Sequence, residues 1–137
     1  MGDVFAEATF FGATGRQETL RLLVDTGATY TWIPAGVARR LGVRPRFVFP
    51  FDLGRGPSVR RRVGDAEIEI LGRRAMRLVV FAGSGEEPVI GHDTLQGLLL
   101  HVDMFRHCLV PGWPVRAPSR RVIGVLPAKQ RKRVARA

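Results

Sequence analysis

The chain has 137 residues, and 45% of them are apolar, which is enough to form the core of one domain. No apolar run approaches the roughly 20 residues that a membrane-spanning helix needs, so we expect no membrane contact. The net charge of +10 is unevenly distributed. Residues 116–137 hold eight basic residues and no acidic one, which leaves 14 basic and 12 acidic residues before them, a net charge of +2.

The N-terminal segment and the cysteine content both favour the cytoplasm. Residues 1–10 contain two acidic residues and no basic one, unlike a secretory signal, which begins with positive charge. The single cysteine, Cys108, excludes an internal disulfide, which small secreted domains usually have. His101, His107 and Cys108 are close in sequence, but without a CxxC or HExxH motif they favour a buried thiol beside exposed histidines over a metal site. We therefore expect a cytoplasmic protein with no metal or cofactor.

Most of the chain is predicted to form β-strands, because short apolar runs alternate with polar residues. Glycine-rich segments at residues 12–15, 52–57 and 72–74 are predicted to be turns. Strands are expected at residues 4–11, 18–24, 46–51, 59–63, 66–71 and 75–81, with short late strands at Val102, Met104 and residues 108–110.

Two short helices are predicted between the strands. A proline precedes the first, residues 35–41, and Gly42 ends it, which is the usual asymmetry of helix ends. The second is expected at residues 94–100, with Asp93 as its N-cap and Gln96 completing a capping box. The fold class is therefore all-β with two short helices.

The charge distribution divides the chain into a folded domain, residues 1–112, and a basic Pro/Arg-rich tail, residues 113–137. Such a tail can bind nucleic acid by releasing counterions. However, no aromatic residue follows Trp113 to stack on bases. We therefore favour a solvated, disordered end over a nucleic-acid-binding site.

The segment LLVDTGAT, residues 22–29, is the one that indicates a candidate catalytic residue. Apolar residues run directly into Asp25, which is followed by a hydroxyl residue and Gly27. Burying a carboxylate is costly unless it is hydrogen-bonded or shares a proton. A glycine lets the backbone pass close to the acid and to a substrate. On its own, this triplet is equally consistent with a turn that follows a strand.

Four segments, in order, resemble the retropepsin-like aspartic proteases of clan AA, in particular the small bacterial type, over roughly residues 4–105. LLVDTGAT is similar to the catalytic loop, and residues 31–43, TWIPAGVARRLGV, to the helix that follows it. Residues 51–72 resemble the flap hairpin with its following strand. Residues 79–103 are similar to the apolar-apolar-Gly element and its helix.

The resemblance implies a retropepsin-like half-barrel, a closed β domain that forms a two-fold homodimer and hydrolyses polypeptide substrates. It implies Asp25 as the catalytic residue. The other implied site residues are Thr26, Gly27 and Ala28 in the catalytic loop, Leu53, Gly54, Arg55 and Gly56 in the flap, and Ile90 and Gly91 packed beside the loop.

The number of carboxylates supports the homodimer. The pepsin mechanism needs two, and this chain has one Asp-Thr-Gly triplet, since the segment at Asp93 lacks the glycine. A second chain must supply the other Asp25 across a two-fold axis. Two such carboxylates share a proton and activate a water molecule, and we expect activity below neutral pH. The resemblance implies a less acidic optimum than in pepsins that carry a hydroxyl residue at the position of Ala28.

The sequence also departs from the retroviral members. They usually have arginine and then asparagine or aspartate after the glycine that corresponds to Gly91, where this chain has His92 and Asp93. Prolines at 111, 114 and 118 disfavour a long C-terminal interface strand, so the dimer contacts are expected to differ. Arg55 and the arginines at 60–62 make the flap basic, and we favour a solvated hairpin face over a preference for acidic substrates.

Two other functions are compatible with the sequence. One is a catalytically silent, protease-like dimer that binds peptides or a partner. The intact triplet at Asp25 argues against it, because a module without catalysis does not need the acid. The other is a nucleic-acid-associated protein, whose salt-dependent binding would disappear when residues 116–137 are deleted.

Overall fold

The computed structural model describes residues 2–112. Within them the chain forms nine strands and two short helices, which confirms the all-β class with two short helices. The tail predicted at residues 113–137 lies outside the described residues. The elements are β1 Phe5–Phe11, β2 Gln17–Val24, β3 Thr31–Pro34, α1 Ala35–Arg40, β4 Pro45–Phe51, β5 Val59–Ile70, β6 Arg73–Ala82, β7 Val89–Ile90, α2 His92–Gly97, β8 Leu100–Asp103 and β9 Cys108–Pro111.

The main sheet closes on itself. Its strand order is β1-β2-β7-β3-β6-β5-β4, and β1 also pairs with β5, where Phe10 lies opposite Ile68. Closure leaves β4 as the strand outside the ring, paired only with β5. The closed β domain expected from the sequence is therefore confirmed. β8 and β9 form a separate two-stranded sheet.

β5 is one continuous strand of 12 residues, whereas the sequence predicted two strands with a break at residues 64 and 65. The first half of β5 pairs with β4 and the second half with β6. Gly64 is required by packing rather than by a turn, because a Cβ there would collide with the carbonyl of Arg44. The β4–β5 hairpin therefore extends beyond the closed ring, with β5 continuous from the hairpin into the barrel.

Three further predictions about the strands were wrong in detail. The prediction missed β3, because its four residues are fully or half-buried and show no alternation. Arg73 and Arg74 belong to β6 rather than to the preceding turn, where Leu71 and Gly72 take positive φ. Met104 lies in the turn between β8 and β9.

The first helix matches its prediction, and the second begins earlier than predicted. Gly42, at φ +73°, follows α1 and donates to the carbonyl of Arg39. α2 begins at His92, so Asp93 is not its N-cap and forms no capping box. The N–H groups of His92 and Asp93 donate instead to loop carbonyls, which satisfies them without a side-chain cap. Neither helix in residues 2–112 is long and apolar enough to cross a membrane.

Two clusters of buried side chains fill the barrel. The larger lies between the sheet and the helices and includes Phe10, Ile33 and Ile68, all fully buried. The smaller is formed by Trp32, Val63, Val80, Ala82 and Val89. Burial of each large apolar side chain contributes about 1.5–3 kcal/mol. The smaller cluster matters for function because Ala28, Tyr30 and Phe51 pack against it.

Candidate active site

The carboxylate of Asp25 is oriented by the backbone of its own loop. β2 ends at Val24, and the Asp25 N–H donates to the carbonyl of Ile90 at 2.9 Å. Its Oδ1 accepts a hydrogen bond from the N–H of Gly27 at 2.9 Å, and its carbonyl accepts one from Ala28 at 3.1 Å. Asp25 is half-buried in the single chain. The loop therefore presents a fixed carboxylate that solvent and a substrate can reach.

The start of α2 holds the loop from behind. The His92 N–H donates to the carbonyl of Ala28 at 2.7 Å, and the Asp93 N–H donates to that of Thr29 at 2.8 Å. These bonds connect two segments that are more than 60 residues apart in sequence. Because β7 is paired with β2 in the main sheet, these hydrogen bonds tie the loop to the barrel.

A buried pair of hydroxyl groups reinforces this connection. Thr31 and Thr94 are fully buried, and their Oγ1 atoms are 2.6 Å apart. Thr31 Oγ1 also accepts a hydrogen bond from the N–H of Gly91 at 3.0 Å. Neither threonine could be identified from the sequence, since a hydroxyl residue in a short strand or helix carries no signal of its partner.

Gly91 packs directly against the segment that follows the catalytic loop. A Cβ at this position would collide with the carbonyl group of Tyr30. Ile90 is fully buried in the larger core cluster. Both residues thus lie beside the loop, where the resemblance put them, and they support it without facing the groove described next.

An open groove with a volume of about 1050 Å³ runs past Asp25. It brings together the catalytic loop, the β4–β5 hairpin and the loop between β6 and β7. Of the residues implied from the sequence, Asp25, Gly27, Ala28, Leu53 and Gly54 line it. The other lining residues are Leu23, Thr29, Tyr30, Trp32, Phe49, Pro50, Phe51, Asp52, Gly85, Glu86, Glu87 and Val89.

One wall of the groove is aromatic. Trp32 and Phe51 meet edge to face with ring centroids 5.1 Å apart, and Tyr30 contacts Phe51 at 6.4 Å. The series continues along β4 from Phe51 to Phe49 at 5.8 Å and to Phe47 at 6.3 Å. It leads from the buried Trp32 to Phe49, which is 52% exposed. This wall was not predicted from the sequence, although the alternation of phenylalanines at 47, 49 and 51 was a usable signal.

The tip of the β4–β5 hairpin contains Arg55 and Gly56, the other two flap residues implied from the sequence, and both are exposed. Gly54 and Gly56 have φ of +82° and +69°, a region that favours glycine. The N–H of Gly54 donates to Asp52 Oδ1 at 2.8 Å, which shapes the turn. Arg55 and Gly56 do not line the groove, and Thr26 is exposed in the single chain.

The loop between β6 and β7 is fixed by an ion pair. Arg61 donates to both carboxylate oxygens of Glu86, at 2.9 and 2.6 Å, and the Gly83 N–H donates to the same carboxylate at 2.6 Å. The hydrogen bonds from Arg61 hold the pKa of Glu86 below its ordinary value, against the opposing effect of burial. The loop is thereby attached to the β4–β5 hairpin.

The histidines and the cysteine do not assemble into a cluster. His101 and His107 are exposed and Cys108 is half-buried rather than buried. Within residues 2–112, no three side chains of histidine, cysteine, aspartate or glutamate lie close enough to hold a metal ion.

Comparison with known proteins identifies the family. No protein of curated function matches the chain. The profile of the family described as gag-polyprotein putative aspartyl protease matches residues 13–97, which is more than half of the chain. The match includes the Asp25 loop, the β4–β5 hairpin and Gly91. The chain therefore belongs to the gag-polyprotein putative aspartyl protease family, whose domain is retropepsin-like, as the sequence indicated.

Proposed function

We propose that this chain is an aspartic endopeptidase that acts as a homodimer, with Asp25 of each protomer in one catalytic pair. The observation that carries the proposal is the Asp25 carboxylate, which is held by the Gly27 N–H and lies in a groove with an aromatic wall. The groove is open, and its volume of about 1050 Å³ leaves room for several side chains of a bound polypeptide. Family membership supports the same type of chemistry.

The homodimer supplies the second carboxylate. Within residues 2–112, Asp25 is the one aspartate in an Asp-Thr-Gly triplet, and Thr26 beside it is exposed in the single chain. A two-fold axis close to this loop would bring the two Asp25 side chains together and cover both Thr26 side chains. Each threonine would then bond to the loop of the other protomer.

The mechanism follows from two carboxylates in contact. At about 3 Å they do not both ionise readily and therefore share one proton. The ionised carboxylate removes a proton from water, which attacks the peptide carbonyl. The protonated carboxylate donates a hydrogen bond to the developing oxyanion, and a proton then passes to the leaving nitrogen. The pair titrates as a unit, so activity is expected to peak below neutral pH.

The test is cleavage of an unfolded protein from about pH 3 to 8, a range that brackets the titration of a carboxylate pair. Wild type is compared with Asp25→Asn, which preserves the size of the side chain and removes its charge. We expect wild-type cleavage on the acid side, inhibition by pepstatin-like compounds and a loss of at least about a thousandfold in the variant.

Two results would contradict the proposal. If Asp25→Asn cleaves as fast as wild type, the activity belongs to another group or to a contaminant. If wild type is a dimer by sedimentation and cleaves nothing at any pH, this form of the chain is not an endopeptidase, and the catalytically silent binding module becomes the hypothesis to test.

A further inference from the structure

The two faces of the β4–β5 hairpin differ in chemistry. Because side chains alternate along a strand, and Phe49 pairs with Arg61 in register, the phenylalanines at 47, 49 and 51 share one face with Arg61. Arg60 and Arg62 lie on the opposite face and are exposed. The basic flap expected from the sequence is therefore basic on its outer face, and its groove face is aromatic.

The groove itself is acidic. Its lining residues include the carboxylates of Asp25, Asp52, Glu86 and Glu87, and no arginine or lysine of residues 2–112 lines it. Arg61 pairs with Glu86 and compensates its charge, so the excess negative charge of the groove away from the catalytic loop comes from Asp52 and Glu87. This negative charge is unexpected in a chain whose net charge is +10.

Asp52 and Glu87 are the uncompensated charges away from the catalytic loop. Both are exposed, and in the described part of the chain neither forms an ion pair. Asp52 Oδ1 accepts a hydrogen bond from the N–H of Gly54, which fixes the carboxylate of Asp52 at the turn. Glu87 directly follows the anchored Glu86, so its backbone is held at the edge of the groove. Each carboxylate is available to a cation bound there.

The aromatic wall adds a second feature that suits a cation. A guanidinium or ammonium group binds the face of an aromatic ring, and a nearby carboxylate strengthens the attraction. The molecule already has such contacts elsewhere, where the guanidinium of Arg21 lies 4.3 Å from the ring centroid of Phe5 and that of Arg74 lies 3.4 Å from that of Phe11. Phe49 lines the groove and is 52% exposed, so part of its ring is accessible to a bound cation.

We propose that the groove selects polypeptide segments in which an arginine or lysine flanks the apolar residues at the cleaved bond. The apolar side chains pack on the wall of Tyr30, Trp32 and Phe51. The cation binds at Phe49 and is attracted by the carboxylates of Asp52 and Glu87, which line the same groove. This inference rests on the proposed function, because it names the substrate class of the same groove.

The first test measures binding without cleavage. Fluorescent 12-residue peptides with a central Leu-Phe pair and either arginine, glutamine or glutamate on both sides are titrated into the full-length Asp25→Asn chain by anisotropy. We expect the arginine peptide to bind about tenfold more tightly than the glutamine peptide, and the glutamate peptide to bind most weakly. If the basic residues 116–137 of the chain compete for the groove, they lower the apparent affinity of all three peptides by the same factor. The readout is therefore the ratio of the arginine-peptide affinity to the glutamine-peptide affinity.

Matched variants identify the groups responsible. Asp52→Asn combined with Glu87→Gln should reduce the arginine-to-glutamine affinity ratio to about 1–2, and Phe49→Leu should reduce it in part. Glu7→Gln removes an exposed carboxylate outside the groove and should leave the ratio unchanged. Equal affinities in the starting chain, or a ratio that survives the double variant, would overturn the inference.

A second measurement separates this inference from the proposed function. The same peptides are given to the chain with Asp25 intact, and kcat/KM is compared between them. Cleavage of all three at equal rates would leave the protease standing and overturn the selectivity. A preserved affinity ratio with no cleavage would leave the selectivity standing and overturn the protease.

Discussion

The carboxylate of Asp25 depends on backbone groups at two places in the sequence. The N–H of Gly27 orients it from the front, and residues 90–93 hold its loop from behind. The close contact between Gly91 and Tyr30 leaves no room for a side chain. A small change at position 91 should therefore affect both folding and catalysis.

Gly91→Ala is the corresponding prediction at the level of the residue. The added methyl group has to displace backbone rather than a flexible side chain, so we expect a loss of about 3 kcal/mol in the free energy of unfolding. Urea denaturation at fixed protein concentration measures it. The control is Gly36→Ala in α1, where the nearest atom to the new Cβ is a side-chain nitrogen of Arg40 at 3.5 Å, an ordinary contact distance. Its effect should be below about 1 kcal/mol, and an equally small effect at Gly91 would contradict the packing argument.

The sequence indicates residues that belong to a pattern of adjacent residues, but not residues whose hydrogen-bond partners are distant along the chain. Asp25 and Gly27 stand out because apolar residues, an acid and a glycine adjoin each other in one strand and turn, and the resemblance to a family assigns them to the catalytic loop. Thr31 and Thr94 do not stand out, since their hydrogen bond joins residues 63 positions apart and neither sequence context specifies a partner.

The β6–β7 loop and the β4–β5 hairpin form one side of the groove, and the bidentate pair of Arg61 and Glu86 joins them. Both side chains are largely shielded from solvent, at 27% and 15% exposure. Screening is therefore weaker than at an open surface, and the pair is expected to stabilise the loop.

Glu86→Gln should destabilise the protein in a pH-dependent way. Arg61 lowers the pKa of Glu86 in the folded state, so the stabilisation is fully present above the ordinary value of 4.5 and is lost as the pH falls through the folded-state pKa. We expect a difference from wild type of about 1–2 kcal/mol at pH 7, which shrinks below about pH 4. Thermal unfolding from pH 3 to 7 checks this.

The neighbouring residue provides the control for that measurement. Glu87→Gln changes an exposed carboxylate that forms no ion pair in the described part of the chain, and its effect should be small throughout this pH range. A Glu86→Gln difference that stays constant with pH would show that the ion pair does not stabilise the loop.

At the level of elements, the sequence predicted which strands and helices form better than it predicted the residues at which they begin and end. Most strands were expected near their observed bounds because alternation was clear. β5 was divided wrongly at Gly64, where the glycine accommodates the backbone of Arg44. α2 was shifted because its first N–H groups bond to the catalytic loop, a long-range contact that no local capping rule describes.

For the whole molecule, the closed barrel explains how the loop that carries the Asp25 carboxylate is kept in position. β1 closes the ring by pairing with β5, and β2 and β7 run side by side into the catalytic loop and Gly91. The sequence predicted this architecture through its resemblance to a family rather than through strand pairing, because pairing between distant strands leaves little local trace. The proposed assembly of two chains into a homodimer is a feature that the fold of a single chain does not contain.

Mixing wild type with Asp25→Asn tests the central claim, that both carboxylates of a homodimer are required. The chains are mixed in varying ratio at constant total concentration, allowed to exchange subunits, and assayed for cleavage. If each active site needs two Asp25 residues, activity falls with the square of the wild-type fraction, since mixed dimers are inactive. A decline in direct proportion to the wild-type fraction would mean that each chain cuts with its own Asp25, which would contradict the shared catalytic pair.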